Sequence, residues 1–281
     1  TVTGGEASLS FQNQFDVDAA GPVTQGAVIN LQTQTATDGW GGTDTWTGTV
    51  NFVTGSSLND TITGRSDSDF EGFQASDGSD TYDLGGGDDN AFDVAYYANT
   101  FGSFNGGAIT ATTTGSSQIT VGSSTGTDVF NNIPSGGLRL VMTEDADSFT
   151  MSTNLLNSAG GTEGYLEIDP WAGNDTITGT ADASQYERLT FTNSATTSVN
   201  INLGTGGSYV VDGTTYTLTL SDIRQVQTRS ITSDDTLIGN ALDNQFRPGA
   251  GNDSIDGGAG FDELRYSNAG SSINIDMRLP T

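Results

Sequence analysis

Aspartate residues recur every nine residues near the C-terminal end of the chain, each one inside a glycine-rich stretch. Residues 248–265 divide into two nonapeptides, PGAGNDSID and GGAGFDELR, whose sixth residues are Asp253 and Asp262. Glycine costs entropy to order, and neighbouring carboxylates repel each other. Because carboxylate and carbonyl oxygens are the ligands that hard divalent cations prefer, this pattern predicts turns that are filled by cations.

The same nine-residue frame runs through three stretches, which we call ladders. The first ladder spans residues 55–92, the central ladder 142–187 and the third ladder 230–265. Asp60, Asp147 and Asp235 hold corresponding places in the three ladders and lie 87 and 88 residues apart. The chain is therefore predicted to contain about three tandem repeats of roughly 87 residues.

The composition excludes several kinds of chemistry. The chain has no His and no Cys, and its net charge is −27, with 35 acidic residues against 8 basic residues, all of them arginine. Disulfides, common zinc sites and the usual Ser-His or Cys-His nucleophiles are therefore absent. A chain this acidic is a poor partner for nucleic acid, and no apolar run is long enough to span a membrane. We expect neither an enzyme, nor a nucleic-acid-binding protein, nor direct membrane insertion.

The segments between the ladders have the alternation of half-buried strands. VAYYAN (94–99) and ELRYSN (263–268) follow the first and third ladders, and apolar residues alternate again in SVNINL (198–203). Helical periodicity is absent. These patterns predict an all-β fold in which ladders alternate with strand segments, and they leave open whether the ladders share one core.

The predicted organisation has three parts. Residues 1–92 contain a strand segment and the first ladder, residues 93–187 a strand segment and a degenerate central ladder, and residues 188–281 a strand segment and the third ladder. SLSFQN (8–13) and GAVINL (26–31) repeat the inter-ladder signatures before any ladder. We therefore expect residues 1–92 to begin with the end of a preceding repeat.

The nonapeptides resemble the calcium-binding repeats of the hemolysin-type, or RTX, family, whose signature is G-G-x-G-x-D-x-U-x with U an apolar residue. GGAGFDELR matches this signature at every defined position, and PGAGNDSID at all but the first. The resemblance implies a parallel β-roll or β-helix in which six-residue turns alternate with three-residue strands. Two nonapeptides then form one coil, and several Ca²⁺ ions bind between the turns of successive coils.

The resemblance assigns metal-site roles to sixth-position residues and to fourth-position glycines. The implied pairs of side chains from successive coils are Asp60 with Asp80, Asp69 with Asp89, Asp235 with Asp253, and Asn244 with Asp262. The predicted metal-site residues are Asp60, Asp69, Asp80, Asp89, Asp175, Asp235, Asn244, Asp253, Asp262, Gly78, Gly87, Gly173, Gly251 and Gly260.

Some positions depart from the family pattern. Asn244 replaces a carboxylate, and Glu71 stands where the frame places an apolar residue. A two-residue insertion, Phe73-Gln74, is expected to break the coil. The central ladder keeps few intact turns, which predicts one ion near Asp175 or none.

What the resemblance implies about function is a calcium-binding structural protein outside the cell, such as a surface-layer, adhesin or fibre segment. Proteins of this family typically leave bacteria by type I secretion and fold on meeting external calcium. The expected partners are calcium, neighbouring copies of the chain and cell-surface glycans. Two alternatives stay open: the calcium-stabilised C-terminal module of an extracellular enzyme whose catalytic domain lies outside this chain, and a carbohydrate-binding module.

Overall fold

Short alternating segments such as Thr61-Ile62-Thr63 form the strands, because their β-branched residues suit a pleated surface with one face buried. Ile62 is fully buried, whereas Thr61 is exposed. The computed structural model describes residues 7–11, 24–67, 70–85, 92–98, 104–115, 117–134, 136–152, 165–180, 182, 186–228 and 232–266. These residues form strands, turns and loops and contain no helix, so no helix among them could cross a membrane. The prediction of an all-β fold is confirmed.

The described residues form 25 strands. In chain order they are β1 (Ala7–Ser10), β2 (Val28–Asn30), β3 (Thr35–Thr37), β4 (Thr43–Thr45), β5 (Val50–Thr54), β6 (Thr61–Thr63), β7 (Gly72–Gln74), β8 (Thr81–Asp83), β9 (Asp93–Tyr96), β10 (Thr110–Gly115), β11 (Gln118–Gly122), β12 (Thr127–Asn131), β13 (Leu138–Val141), β14 (Ser148–Thr150), β15 (Tyr165–Asp169), β16 (Asp175–Thr178), β17 (Tyr186–Thr190), β18 (Thr196–Asn202), β19 (Gly206–Val211), β20 (Thr214–Ser221), β21 (Gln225–Gln227), β22 (Thr236–Ile238), β23 (Gln245–Arg247), β24 (Ser254–Asp256) and β25 (Glu263–Leu264).

The strands form two sheets, and the chain passes back and forth between them. The ten-stranded sheet has the order β1-β5-β7-β9-β13-β15-β17-β21-β23-β25, and its pairings within the described residues are parallel. The fifteen-stranded sheet has the order β24-β22-β18-β19-β20-β16-β14-β10-β11-β12-β8-β6-β2-β3-β4. Two mostly parallel sheets joined in this way are the architecture of a parallel β-roll.

Antiparallel meanders interrupt the coils at regular places. The meanders β2–β4, β10–β12 and β18–β20 lie in the fifteen-stranded sheet, and each is followed by five strands that alternate between the sheets. The first strand of each meander pairs in parallel with the coil after it, as β10 pairs with β14. The last strands of the second and third meanders, β12 and β20, pair in parallel with the coil before them. The meanders therefore continue the sheet without a gap.

The register of the ladder strands reflects the nonapeptide repeat. Thr236 of β22 pairs with Ser254 of β24, eighteen residues later, which is two nonapeptides. Thr61 of β6 pairs with Thr81 of β8, twenty residues later, because this coil carries the two-residue insertion.

The expectation that Phe73-Gln74 breaks the coil is wrong. Phe73 is the buried central residue of β7, which pairs with strands on both sides. The additional length falls between β6 and β7 and not within β7, and Glu71 directly precedes β7. A surface turn absorbs added residues, whereas a shift in strand register would move the buried side chains to the other face.

One buried apolar cluster extends along the roll from Ala27 to Phe246. Each short ladder strand contributes one central side chain, such as Tyr82, whose ring stacks on Phe130 with 4.5 Å between ring centroids. Leu264, in the last described strand, is 39% exposed because that strand has a described neighbour on one side only. The described parts of the three ladders therefore share one core.

Candidate metal centre

The predicted ligands lie in the turns at the two edges of the roll. The turns that lead into strands of the fifteen-stranded sheet form what we call the first edge, which includes Asp60, Asp80, Asp175, Asp235 and Asp253. The turns that lead into the ten-stranded sheet form the second edge, where Glu71, Asp93, Asn244 and Asp262 lie. Each acidic or amide side chain stands just before, or at the start of, a two- to four-residue strand.

At both edges, successive coils are linked through these side chains. The backbone N–H of Asp60 donates to Asp80 Oδ1 at 2.8 Å, and that of Asp235 donates to Asp253 Oδ1 at 3.0 Å. The backbone N–H of Asn244 donates to Asp262 Oδ1, also at 3.0 Å. The structure therefore brings together the pairs Asp60/Asp80, Asp235/Asp253 and Asn244/Asp262. Asp69, Asp89 and Gly87 lie outside the described residues.

In the first ladder, protein donors satisfy the carboxylate of Asp60. Its Oδ1 accepts hydrogen bonds from the Ala27 N–H at 2.6 Å and the Ser56 hydroxyl at 2.7 Å, and its Oδ2 accepts the Ser56 N–H at 2.6 Å. Ser56 is the second residue of the turn and Asp60 the sixth. The side chain thus closes its own turn and caps the neighbouring strand, as an N-cap residue caps a helix.

A hydroxyl also lies between the two carboxylates of this pair. The Ser76 hydroxyl donates to Asp80 Oδ2 at 3.1 Å and lies 3.5 Å from Asp60 Oδ2. Burial raises the pKa of Asp80 to about 8, and the charge of nearby Asp128 adds to this shift. Burial raises the pKa of Asp60 as well. This part of the edge is buried and lined by donors.

The central ladder resembles the first. Thr143 closes the turn of Asp147 through its N–H, at 2.7 Å from Oδ2, and through its hydroxyl, at 2.9 Å from Oδ1. The Asp147 N–H donates to Asp175 Oδ1 at 2.9 Å, and the Tyr209 hydroxyl lies 3.4 Å from Asp175 Oδ2. Burial raises the pKa of Asp175 to about 8. Protein donors therefore surround the predicted Asp175 site.

The third ladder is different. Within the described residues, Asp253 accepts one hydrogen bond, from the Asp235 N–H, and its side chain is half-buried. The second residue of its turn is Gly249, which has no side chain to offer a donor. Asp235 is 2% exposed, and its Oδ1 accepts the Val199 N–H at 3.1 Å and the Ser233 hydroxyl at 3.0 Å. Burial raises the pKa of Asp235, and the Thr228 hydroxyl is near enough to offset part of this shift, yet Oδ2 is buried without a hydrogen bond of good geometry. A buried carboxylate oxygen without a donor is costly unless a cation or water reaches it.

The opposite edge of the third ladder holds the amide of Asn244. Its Oδ1 accepts the Asn240 N–H at 2.8 Å, and its Nδ2 donates to the Arg224 carbonyl at 3.3 Å. Asp262 is half-buried and lies next to Gly257, where a side chain would strike its carboxylate. The backbone N–H of Asn244 and the carboxylate of Asp262 join successive coils at this edge.

The fourth-position glycines adopt the backbone conformation that the motif implies. The φ angles are +120° at Gly78, +108° at Gly173, +145° at Gly251 and +116° at Gly260. An added Cβ would press on the backbone of the preceding coil, at the Leu58, Asp145, Ser233 and Leu242 carbonyls respectively. Glycine is required there both for the positive φ and for the close stacking of the turns.

A guanidinium group supplies positive charge in one turn of the first ladder. Arg65 Nη1 donates to the Val50 carbonyl at 2.6 Å and lies 3.2 Å from Glu71 Oε1, while its Nε lies 3.0 Å from Asp67 Oδ2. Arg65 is 8% exposed. A cation carried by the chain itself therefore links two successive coils at the second edge.

The donor chemistry of the third ladder fits Ca²⁺. Asp235, Asp253, Asn244 and Asp262 offer oxygen ligands, which suit calcium better than zinc. Among the described residues, no cluster of three or more acidic, His or Cys side chains gathers at one point. Ca²⁺ held by one of these pairs would therefore take its other ligands from backbone carbonyls and water, as flexible calcium sites commonly do.

Sequence reasoning missed several residues of the edges. Asp128 of β12 belongs to a meander, yet its Oδ1 accepts the Asp80 N–H at 2.9 Å. Glu71 closes its turn by accepting the Arg65 N–H at 3.0 Å, and Asp93 Oδ1 accepts the Glu71 N–H at 3.1 Å. All three share a pattern that could have revealed them: an acidic residue followed, two positions later, by a buried apolar one.

Neither a comparison with models of known protein families nor a search of curated proteins finds a match for this chain.

Proposed function

We propose that this chain is a calcium-binding extracellular structural protein, a segment of a surface layer, adhesin or fibre, which Ca²⁺ folds or rigidifies after secretion. The observation that carries the proposal is the pair Asp235 and Asp253: the Asp235 N–H donates to the Asp253 carboxylate of the next coil, and Asp235 Oδ2 is buried without a hydrogen-bond partner. The turn of Asp253, in PGAGNDSID, matches the RTX nonapeptide at every defined position but the first.

Calcium has a clear physical role in such a turn. Two carboxylates on adjacent coils repel each other, and a divalent cation between them turns that repulsion into attraction. A cation that binds only the folded chain stabilises it by about 2.7 kcal/mol when present at 100 times its dissociation constant. One or two such sites would be a large part of a typical domain stability of about 5–15 kcal/mol.

The architecture supports a structural role. Each coil adds one strand to each sheet, so the roll grows by about 4.8 Å per coil. The core is continuous along the described residues, and neighbouring coils are joined through both edges. Such a rod holds its ends at a fixed distance, which is what a spacer or lattice component requires.

The test is circular dichroism and thermal melting of the chain in EDTA, in millimolar Ca²⁺ and in equal Mg²⁺. We expect Ca²⁺, and not Mg²⁺, to raise the melting temperature and the β-signal. Asp253→Asn should weaken this response, whereas Asp44→Asn should leave it intact, because Asp44 is an exposed residue of β4, remote in sequence from the third ladder. Equal melting of the unaltered chain in EDTA and in Ca²⁺ would overturn the proposal.

A further inference from the structure

The outer face of the fifteen-stranded sheet carries a continuous row of β-branched residues, which we call the threonine row. It crosses eleven neighbouring strands of the described chain, from β4 to β20, with one residue from each strand in register with the next. Its members are eight threonines, two valines and one serine. Val has the shape of Thr, so ten of the eleven side chains have nearly the same outline.

The row continues through the meanders. Val28 of β2 pairs with Thr61, Thr81 pairs with Val129 of β12, and Thr112 of β10 pairs with Thr150. Parallel coils and antiparallel meanders have different sequences and hydrogen-bond patterns, yet they place the same kind of residue in this row. The coils could close with other kinds of residue at these positions, because the row points away from the core.

The row is uncharged and lies at the surface. Val28 is 52% exposed, Thr43, Thr61, Thr81 and Thr150 are also exposed, and the other six members are half-buried. No member carries a charge, although the chain has a net charge of −27. Most of its strands bear a second hydroxyl two residues away, for example Thr63 in β6. Asp83, two positions after the row member Thr81, lies at the end of β8, where it accepts hydrogen bonds from Gly85 and Asn132. Asp44 and Asp128 are adjacent in sequence to row members, so strand alternation directs them to the other face.

This geometry suits a ligand that is itself a rigid, neutral, repeating array of hydrogen-bonding groups. Strands lie about 4.8 Å apart and alternate residues about 6.7 Å apart, so the row presents hydroxyl and methyl groups on a fixed grid. β-branched side chains are stiff at χ1, so the row side chains lose little conformational entropy when a ligand binds to the grid. A repeating ligand with the same spacing makes many weak contacts at once, and together these contacts give tight binding.

We propose that the threonine row binds the surface of ice. The strand spacing is close to the shorter oxygen repeat on the prism faces of hexagonal ice, and a threonine hydroxyl can donate and accept as a lattice water does. The absence of charge in the row matches a neutral lattice. The row contains no aromatic ring of the kind that stacks on sugars, which favours crystalline water over a glycan. The inference rests on the fold and not on the proposed calcium sites.

The test is partition of the full chain, in millimolar Ca²⁺, into a slowly growing ice front, combined with microscopy of ice-crystal shape. We expect incorporation into the ice and faceted crystals. Thr81→Tyr should abolish incorporation because it raises a bulky ring in the middle of the row. Thr81→Val should preserve it, since Val28 and Val129 already stand in the row.

The matched control is Thr205→Tyr, which places the same ring on an exposed turn outside the row and should incorporate like the unaltered chain. Circular dichroism should show the same fold in all variants. Exclusion of the folded, unaltered chain from ice would overturn the proposal, as would full incorporation of folded Thr81→Tyr. If the chain is excluded from ice but binds crystalline cellulose or chitin, and Thr81→Tyr abolishes that binding, the ligand of the row is a polysaccharide and the ice proposal is wrong. If Asp253→Asn loses its calcium response but still enters the ice, ice binding does not depend on that calcium site, and the ice proposal is supported.

Discussion

In the first ladder, Asp60 accepts two backbone N–H groups and a hydroxyl, whereas in the third ladder Asp253 accepts a single N–H from the described residues. Both residues stand sixth in their turns, and both lie before a strand of the same sheet. The difference arises at the second residue of the turn. Ser56 supplies a hydroxyl and an N–H to the first carboxylate, and Gly249 supplies no side chain to the second.

One motif can therefore close a turn in two ways. A carboxylate with a full set of protein donors is stable without a metal, while a carboxylate with few donors needs a cation or water. We therefore expect calcium dependence to be concentrated in the third ladder, even though the first ladder has the same nine-residue frame.

The largest effect should come from Asp60→Ala, which leaves the buried N–H groups of Ala27 and Ser56 without an acceptor. Each buried unsatisfied donor costs about 1–3 kcal/mol, so the free energy of unfolding should fall by about 2–6 kcal/mol. Urea denaturation in EDTA measures this loss. Asp60→Asn, which retains an acceptor oxygen, is the control and should lose less. Recovery of Asp60→Ala by calcium would contradict the comparison.

Glu187 extends the comparison to a carboxylate that lacks a donor on one oxygen but is completely buried. Its Oε2 has no hydrogen-bond partner, and burial raises its pKa from 4.5 to about 8, partly offset by the charge of Arg224 and increased by that of Asp222. The folded chain thus holds a proton that the unfolded chain releases near pH 4.5. The stabilisation is complete below that pH and is lost as the pH rises towards 8.

Glu187→Gln should remove this pH dependence, whose slope is at most about 1.4 kcal/mol per pH unit for one proton. The variant should match the unaltered chain near pH 4.5 and exceed its stability at pH 8, as measured by urea denaturation across that range in EDTA. Parallel stability curves for the two proteins would show that Glu187 does not titrate in this window.

Asp253→Ala should have a small effect in EDTA and a larger one in calcium. With Ca²⁺ at about 100 times the dissociation constant, loss of one site should cost about 2.7 kcal/mol. Isothermal titration calorimetry should show fewer bound ions, and thermal melting a smaller calcium shift. An unchanged number of ions would remove Asp253 from the set of ligands.

The smallest effect should come from Ser76→Ala, which removes the hydroxyl between Asp60 and Asp80. Loss of this hydrogen bond should cost about 1 kcal/mol without calcium. The variant should also gain a calcium response, because the two carboxylates then lack the donor that separated them. Thermal melts with and without Ca²⁺ check both parts. If stability falls and no calcium response appears, the other donors to Asp60 are sufficient to exclude the ion.

Much of the local structure could be predicted from the chain alone. The turn glycines, the sixth-position acids and the buried strand centres follow from contacts within one nonapeptide and between adjacent ones. Gly251 has a positive φ, and Asp235 and Asp253 meet in successive coils, as the nine-residue frame predicts. The nine-residue frame wrongly placed Glu71 within a strand, because the position of an inserted pair of residues cannot be read from the composition of the repeat.

The rest was decided by tertiary structure. Asp128 joins Asp80 across 48 residues because a meander returns the chain to the preceding coil, and no nine-residue spacing signals this. Whether an edge carboxylate is satisfied depends on donors from other coils, such as the Ala27 N–H at Asp60. The threonine row exists only once eleven strands are in register. By itself the sequence determined where the chain turns and which residues face inward, since these are short-range properties. Which carboxylates lack donors, and which outer residues form one surface, depends on contacts between residues far apart in the chain.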